Sequence, residues 1–386
     1  MKRNIFRSQC VYKIYKGFSW WEVAEPAFSF LVEAYAERII TDIESIESIL
    51  KQTFSDFELI IIDDASTDNT SHAIDVFRDK RVIKVRNSSN LGQTKSLNIG
   101  FAMARGRYIA RMDADDIAYP QRLQLQCEFL EQNPQIAVVG SWSEDIDENG
   151  RVLRKVRPPT EPIEIKCFMA GSGDLSYWCI THPTVLIRKD VLEKEGFYDE
   201  KRGIAQGYPQ DYELWSRLIR QNNFANIKKI LLQYRVLKAS DSRYFREEQV
   251  KTREAITLNQ IQYYFPNIKL NEALPLLKIL EYQRQDSPEA GKKAFALFDQ
   301  YMQAFMGEQY SLKIVQRPVH QMKLYYTPKL FISNKLGAIV AMCRIFSQYP
   351  VFILDGKFYR KLLRVFSECA LPQNRYQWLK EIFSYR

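Results

Sequence analysis

Short apolar runs and amphipathic helical patterns alternate between residues 28 and 142, and this alternation leaves few folds open to the chain. "FSFLVE" (28–33) and "ELIIIDD" (58–64) are typical of strands, whereas "IESIESILKQ" (43–52) has apolar residues at helical spacing. The same alternation continues through "TDNTSHAIDVF", a predicted helix capped by Asp68 or Thr67, and then "RVIKVRN", "TKSLNIGFAMA", "RYIARMD", "PQRLQLQCEFLEQ" and "IAVVGSW". Strands that alternate with helices predict an α/β fold with a mostly parallel, doubly wound sheet flanked by helices.

The character of the sequence changes along its 386 residues, which is enough chain for two or three domains. A hairpin is predicted where "DENG" turns, and residues 160–240 then mix loop, strand and helix patterns. Beyond about Asp241 the strand patterns stop, and helical segments rich in Lys, Arg, Tyr and Phe follow. We therefore predict an N-terminal extension (1–27), an α/β domain (28–240) and a helical C-terminal domain (241–386).

The charge of the chain indicates which classes of partner suit it, and its cysteines indicate the cellular compartment. The chain has 55 Lys and Arg against 46 Asp and Glu, and its pI is near 9.0, which suits nucleic acid, an anionic membrane surface or phosphorylated ligands. Its six cysteines form no C-x-x-C pair, so we expect free thiols in a reducing compartment. The N-terminal stretch lacks the apolar segment of a signal peptide, and no uninterrupted apolar run reaches about 18 residues. These features predict a cytoplasmic protein.

Three carboxylates stand close together in "YIARMDADDIAYPQRL" (108–123), namely Asp113, Asp115 and Asp116. Unpaired carboxylates at this spacing repel one another and raise their own pKa values. A hard divalent cation such as Mg²⁺ or Mn²⁺ would relieve that repulsion, because it takes oxygen ligands. The alternative interpretation is that they cap the helix expected after Asp116, but one Asp would be enough for a cap.

The acidic residues fall where an α/β fold places its ligands. Asp63, Asp64, Asp113 and Asp115 all lie at the predicted carboxyl ends of strands. Open α/β sheets bind ligands in the crevice outside those strand ends. The sequence therefore predicts a binding site at this edge of the sheet.

Four blocks resemble a known family when they are taken together and in order. They are "QTFSDFELIIIDDASTDNT", "NLGQTKSLNIGFAMARGRYIARMDADD", "HPTVLIRKDVLEKEGFYDE" and "QDYELWSRL", within about residues 28–240. The chain resembles the inverting family-two glycosyltransferases of the GT-A fold. The resemblance implies a GT-A, Rossmann-like sheet and metal-dependent transfer of a sugar from a nucleotide-diphosphate sugar, usually a UDP-sugar, to an acceptor hydroxyl. It further implies a role in surface polysaccharide or glycolipid assembly.

The resemblance assigns the donor side of the site to specific residues. Asp115 is implied as the main ligand of Mn²⁺ or Mg²⁺, and Asp113 as a second ligand or a contact to the donor ribose. Asp64 matches the family position that accepts a hydrogen bond from the base, for which the alternative is a turn-forming Asp. Tyr35 and the backbone around Ala34 match the loop that packs against the base.

The acceptor side is assigned in the same way. Asp211 aligns with the family's catalytic base, which takes the proton of the attacking hydroxyl, although an Asp at a helix start also serves as a cap. Gln210 precedes it, and Trp178 and His182 lie in a loop that faces the acceptor in the family, although either could be structural. Lys95 on the "NLGQTKSLN" segment could approach the diphosphate or remain solvated.

Four residues of the chain depart from the family pattern. Glu33 and Ala36 replace parts of the first loop, Gln210 stands where Glu is usual, and Leu237 where His is frequent. Glu33, Ala36 and Gln210 are the only support for the alternative of a catalytically silent binding or scaffold protein with the same fold. A nucleotidyl or phosphoryl transferase is disfavoured because no GxxxxGK[ST] loop is present.

The C-terminal part mixes cations with aromatic residues in "REEQVKTREAI", "KLLRVF" and "RYQWLKEIF". One interpretation is peripheral contact with the inner face of an anionic membrane, where lipid-linked acceptors reside. The other is an ordinary helical bundle with solvated cations. Nucleic-acid binding is not expected, because the positive charge is dispersed and no recognised module is present.

Overall fold

The computed structural model describes residues 26–34, 39–171, 179–200, 209–237, 246–281 and 288–311. Within them, nine strands form a single twisted sheet. The strands are β1 (Phe28–Ala34), β2 (Phe57–Asp63), β3 (Val82–Arg86), β4 (Tyr108–Asp113), β5 (Ile117–Ala118), β6 (Ile136–Ile146), β7 (Val152–Val156), β8 (Leu186–Arg188) and β9 (Asn223–Arg235).

The order of the strands is β3-β2-β1-β4-β8-β6-β9-β5, with β7 paired to β6. Strands β1 to β4 are mutually parallel, as are β6 and β9. The short strand β8 runs antiparallel between β4 and β6 and so joins the two parallel groups. The mostly parallel sheet predicted from the alternating pattern is confirmed.

Ten α-helices and two short 3₁₀ helices accompany the sheet in the described part of the chain. Those of the α/β region are α1 (Ile39–Leu50), α2 (Thr70–Asp75), α3 (Gln93–Met103), α4 (Arg122–Gln132), α5 (Pro162–Gly171), α6 (Lys189–Glu195) and α7 (Gln210–Leu218). Three more follow towards the C-terminus, namely α8 (Arg246–Tyr264), α9 (Leu270–Leu280) and α10 (Pro288–Met306).

Both faces of the sheet are covered, which explains why its central strands are apolar throughout. In β2, Leu59 and Ile61 pack with helices α1 and α4, whereas Ile60 and Ile62 pack with α3 and α7 on the other face. Alternate residues of a strand point to opposite faces, so a strand buried on both faces needs apolar residues at consecutive positions. All seven residues of β2 are buried accordingly.

Several boundaries differ from those predicted. Helix α2 begins at Thr70 with Asn69 at its N-cap, and Asp68 instead accepts a hydrogen bond from the Thr70 amide at 3.0 Å. Helix α4 begins at Arg122, not at Pro120. Strands β5 and β9 were not predicted: β5 has two residues, and the ladder of β9 is interrupted by bulges that break its apolar alternation.

Close packing at the start of β1 requires a glycine at position 106. A Cβ atom there would lie 2.3 Å from the backbone carbon of Phe28. We expect Gly106→Ala to lower the free energy of unfolding in urea by about 3 kcal/mol, because neither backbone can yield. Gly150→Ala is the comparison: it has open space but a φ of +78°, so only backbone strain of about 1 kcal/mol is expected. Equal losses in the two variants would contradict the steric explanation.

The C-terminal helices pack directly on the α/β region. Tyr212 of α7 shares a hydrogen bond with Thr257 of α8 at 3.0 Å, and Arg220 donates to Gln260 at 2.7 Å. Among the described residues, no helix combines the length and the apolar character needed to cross a membrane. The "REEQVKTREAI" segment lies in α8, while "KLLRVF", "RYQWLKEIF" and most of the predicted 1–27 extension lie outside the described residues.

Candidate active site

The three predicted carboxylates come together at the carboxyl end of β4. Asp113 ends the strand, Asp115 and Asp116 form the turn into β5, and ligand oxygens of all three lie within 4.8 Å of one another. Asp116 is fully buried, Asp115 is nearly so, and the side chain of Asp113 is one-quarter exposed. Because α4 begins only at Arg122, the interpretation of Asp116 as a helix cap is wrong.

Arg235 at the end of β9 fixes the turn that carries the carboxylates. Its backbone amide donates to the carboxylate of Asp116, and its Nε donates to the backbone carbonyl of Asp115, both at 2.9 Å. Its guanidinium also pairs with Glu44 of α1 at 2.7 Å. The acidic turn is therefore clamped between α1 and β9.

The environment of Asp116 favours a neutral carboxyl or a nearby cation. Burial raises its pKa well above the usual value, and the charges of Asp113 and Asp115 raise it further. Its second oxygen, Oδ2, is buried without a hydrogen-bond partner among the described residues. A cluster of carboxylate oxygens with such an atom fits a hard divalent cation, which takes oxygen ligands.

Arg111 supplies a buried positive charge beside the carboxylates. It precedes Asp113 by two residues on β4, so both side chains point to the same face, and the two form an ion pair. Only 3% of the Arg111 side chain is exposed. Its charge opposes the rise in the pKa of Asp116. Arg111 thus offsets part of the repulsion that the acidic residues create.

Asp211, in the first turn of α7, interacts electrostatically with Asp113 of the same cluster. Its carboxylate accepts a hydrogen bond from the Tyr212 amide at 2.8 Å in the first turn of the helix. Burial raises the pKa of Asp211; Asp113 raises it further, and Arg111 opposes the shift. The predicted base and the predicted metal ligands therefore lie within electrostatic reach of one another.

Gln210 faces the N-terminus of α3. Its side-chain amide donates to Gln93, and its carbonyl accepts from the Thr94 hydroxyl at 2.6 Å. The side chain of Gln210 is buried. These bonds join α7, which carries Asp211, to the segment that carries Lys95. The acceptor-side role of Gln210 stays a prediction.

Because Gln210 links α7 to α3, we expect different substitutions at position 210 to lower the activity to different extents. We expect Gln210→Ala to lower kcat about tenfold through displacement of Asp211, a loss of about 1.4 kcal/mol of transition-state stabilisation. Gln210→Glu keeps the acceptor for Thr94, so it should retain most of the activity. Steady-state kinetics on both variants measure the effect. Full activity in Gln210→Ala would show that the link does not position Asp211.

Asp64 is engaged by the loop that precedes α3. Its carboxylate accepts from the Asn87 side chain at 2.7 Å and from the amides of Leu91 and Gly92, both at 2.8 Å. The carboxylate of Asp64 therefore holds this loop in place, and its contact with a nucleotide base stays a prediction. Lys95, two residues into α3 from its start, is half-buried.

Of the remaining predicted residues, the structure describes Ala34 and His182. Ala34 ends β1 and pairs in register with Asp63, while Tyr35 and Trp178 lie outside the described residues. His182 shares a hydrogen bond with the hydroxyl of Tyr198 and packs edge-on against Trp215 at 5.8 Å. Burial lowers the pKa of His182 well below its usual value, with Arg111 adding to the shift, so the imidazole is neutral.

Sequence reasoning missed three residues that hold the site together: Arg111, Arg235 and Thr94. Arg111 carried a usable signal, because a cation two positions before Asp113 on a strand shares its face. No signal in the sequence pointed to Arg235 or Thr94. Each is more than 90 residues from its partner in the chain, and only the folded sheet brings the pairs together.

Comparison with known proteins gives the family. The profile described as glycosyl transferase family 2 matches residues 41–196. An uncharacterized glycosyltransferase of Haemophilus influenzae is 33% identical over 284 residues, which span 72% of this chain and 86% of the relative. The chain belongs to glycosyl transferase family 2. The predicted family and enzyme class are thereby confirmed.

Two further comparisons extend this family 2 assignment. The O-antigen biosynthesis glycosyltransferase WbnJ of Escherichia coli is 33% identical over 203 residues, covering 50% of this chain and 73% of WbnJ. S. aureus TarS 1–349, solved in complex with UDP-GlcNAc, matches with a TM-score of 0.51 and 18% identity, over 84% of this chain and 91% of TarS 1–349. That likeness supports the GT-A fold, and the inverting mechanism is typical of the family.

Proposed function

We propose that this family 2 enzyme transfers a sugar from a UDP-sugar to an acceptor hydroxyl with inversion of the anomeric centre, using Mn²⁺ or Mg²⁺. The observation that carries the proposal is the convergence of an acidic cluster and a separate carboxyl of raised pKa on one edge of the sheet. Because their surroundings differ, the clustered carboxylates and the separate carboxyl of Asp211 are suited to different roles in one reaction.

The donor side is assigned to the turn after β4. Asp113 and Asp115 would hold the divalent cation, whose chemistry when bound is to stabilise the charge that develops on the departing diphosphate. Asp116 is fully buried in the same turn, where a bound cation would favour its charged form. Asp64 keeps the neighbouring loop in place beside the nucleotide, and Lys95 lies at the start of α3, where it can approach the phosphates.

The acceptor side is assigned to Asp211. The attacking hydroxyl must lose its proton as the new bond forms, and a carboxylate within hydrogen-bond reach accepts it. Burial raises the pKa of Asp211, so its proton affinity exceeds that of an ordinary surface Asp. Attack from the side opposite the leaving group inverts the anomeric centre, and no enzyme nucleophile is required.

The donor class and the biological role rest on the relatives. TarS 1–349 was solved in complex with UDP-GlcNAc, which supports a UDP-sugar as donor, and WbnJ is an O-antigen biosynthesis glycosyltransferase, which supports a role in surface polysaccharide assembly. The acceptor would then be a saccharide or a lipid-linked glycan. As part of this proposal, we place the enzyme in the cytoplasm. Its C-terminal helices would make peripheral contact with the inner face of the membrane.

A donor screen tests this function directly. The melting temperature of the full chain would be measured with UDP-, GDP- and dTDP-sugars, each with Mn²⁺, with Mg²⁺ and with a chelator. A ligand that binds the native state raises the melting temperature by mass action, and we expect the largest rise with a UDP-sugar and Mn²⁺. Absence of any metal-dependent rise would contradict the proposal and favour a catalytically silent protein of the same fold.

A further inference from the structure

A cavity of about 750 Å³ lies where the start of α4 and β5 meet the middle of β9. The residues that line it include the aromatic residues Tyr119 and Trp142 and the cationic residues Arg157, Lys228 and Lys229. Among the described residues that line it, none carries a carboxylate. Three cations therefore meet around two aromatic rings without an acidic partner in the cavity wall.

A break in the β6–β9 ladder presents the two lysines. Ser141 pairs with Ile227, but the next residue, Trp142, pairs with Ile230, so Lys228 and Lys229 are both left out of the register. Bulges of this kind re-aim side chains and are concentrated next to functional sites. Both lysines are exposed, and they stand beside Trp142 because of this interruption.

The indole that forms part of the wall is held in a fixed orientation. Trp142 donates its Nε1–H to the carbonyl of Pro158 at 3.1 Å, and the guanidinium of Arg157 lies 5.3 Å from the centre of its ring. The nearest carboxylate on the adjoining strand, Glu144, is buried and accepts hydrogen bonds from Tyr119 and Gln233. Glu144 is therefore not a counter-ion for the lysines.

We propose that this cavity binds an acidic saccharide, with a sugar ring against Trp142 and its phosphate or carboxylate groups at Lys228, Lys229 and Arg157. The chemistry of the wall carries the choice of ligand. A fixed aromatic side chain suits a sugar ring, and cations that have no acidic partner among the described residues suit an anion. A lipid surface fits less well, because the site is concave and the apolar side chain of Leu231 in its wall is buried.

The position of the cavity connects it to the reaction. The Tyr119 amide donates to the carbonyl of Leu231 at the cavity, and four residues further along β9 the amide of Arg235 donates to Asp116. Four residues of extended strand span about 13 Å. An acidic acceptor chain held in the cavity could therefore extend towards the acidic cluster. This role as an acceptor subsite rests on the proposed function, whereas binding itself does not.

Calorimetry on the full chain tests the binding. The probes are a tetramer of galacturonate, uncharged maltotetraose, inorganic phosphate and a single-stranded DNA oligonucleotide. We expect the acidic tetramer to bind the wild type. The double substitution Lys228→Ala/Lys229→Ala should weaken its binding at least about tenfold, because the loss of two contacts of about 0.7 kcal/mol each corresponds to a tenfold change in affinity. Trp142→Leu should weaken it as well. The charge-matched control is Arg151→Ala/Lys155→Ala, which removes one exposed cation just before β7 and one on it, both outside the cavity wall, and should leave binding unchanged.

Each contrary outcome has a defined meaning. Equal losses in the two double variants, or tighter binding of the DNA than of the tetramer, would show general attraction to polyanions and overturn the proposal. Binding of phosphate without any preference for the saccharide would overturn it too. UDP binding in the Lys228→Ala/Lys229→Ala variant checks that the fold is intact. Failure of the wild type to bind any nucleotide sugar would contradict the proposed function and leave the saccharide result standing.

Discussion

Asp115→Ala is expected to lower kcat for sugar transfer by about 10³-fold. Asp115 lies in the turn between β4 and β5, within 4.8 Å of ligand oxygens of Asp113 and Asp116. Its loss would remove one of the two carboxylates proposed to hold the cation. Stabilisation of the leaving diphosphate by a metal is worth several kcal/mol, and about 4 kcal/mol corresponds to a thousandfold change in rate.

The measurement should separate binding from chemistry. Calorimetry with UDP is expected to show weakened or absent Mn²⁺-dependent binding in Asp115→Ala. The matched control is Asp75→Ala, which removes an equal charge from an exposed ion pair with Lys84 on the surface. That pair is worth at most about 1 kcal/mol of stability, so the control should keep its activity. Normal metal-dependent binding in Asp115→Ala would show that the acidic turn is not the metal site.

Asp211→Asn is expected to lower kcat by about 10³-fold while the affinity for the donor stays near that of the wild type. General base catalysis contributes about 10² to 10⁴-fold, and Asn keeps the size of Asp but cannot accept the proton. The control is Asp190→Asn: Asp190 lies in the first turn of α6, and like Asp211 it accepts a hydrogen bond from the next amide. Similar losses in both variants would indicate a helix-terminal role for Asp211 and not a catalytic one.

The pH dependence gives an independent check on Asp211. A base acts only when it is deprotonated, so activity falls as the pH drops through its pKa. Because burial raises the pKa of Asp211 above 3.8, the acid limb of kcat/KM should lie at a higher pH than an ordinary Asp would give. Asp211→Asn should lose this limb. An unchanged acid limb in that variant would assign it to another group.

The sequence predicted the sheet because its central strands obey a simple rule. Strands buried on both faces must be apolar at consecutive positions, and β2 shows that pattern without interruption. Strand β9 was not predicted because its pattern is interrupted. Its bulges place Lys228 and Lys229 outside the ladder, so no single period describes its apolar residues. The two-residue β5 is too short to leave any pattern.

The candidate site was predictable where its residues are neighbours in the chain. Asp113, Asp115 and Asp116 form one acidic run, and their grouping in space follows directly from it. The residues that hold the run in place are distant: Arg235 follows Asp116 by 119 positions, and Gln210 follows Thr94 by 116. Such contacts depend on strand order and helix packing, which local patterns do not encode.

The central claim is that the turn after β4 holds a divalent cation against a nucleotide diphosphate. The most direct measurement is diffraction from a crystal soaked with MnCl₂ and UDP, with an anomalous difference map recorded near the manganese absorption edge. We expect a single strong peak within bonding distance of Asp113 or Asp115 and of the diphosphate oxygens, about 2.2 Å from each ligand atom. Bound UDP with no anomalous peak at these carboxylates would contradict it.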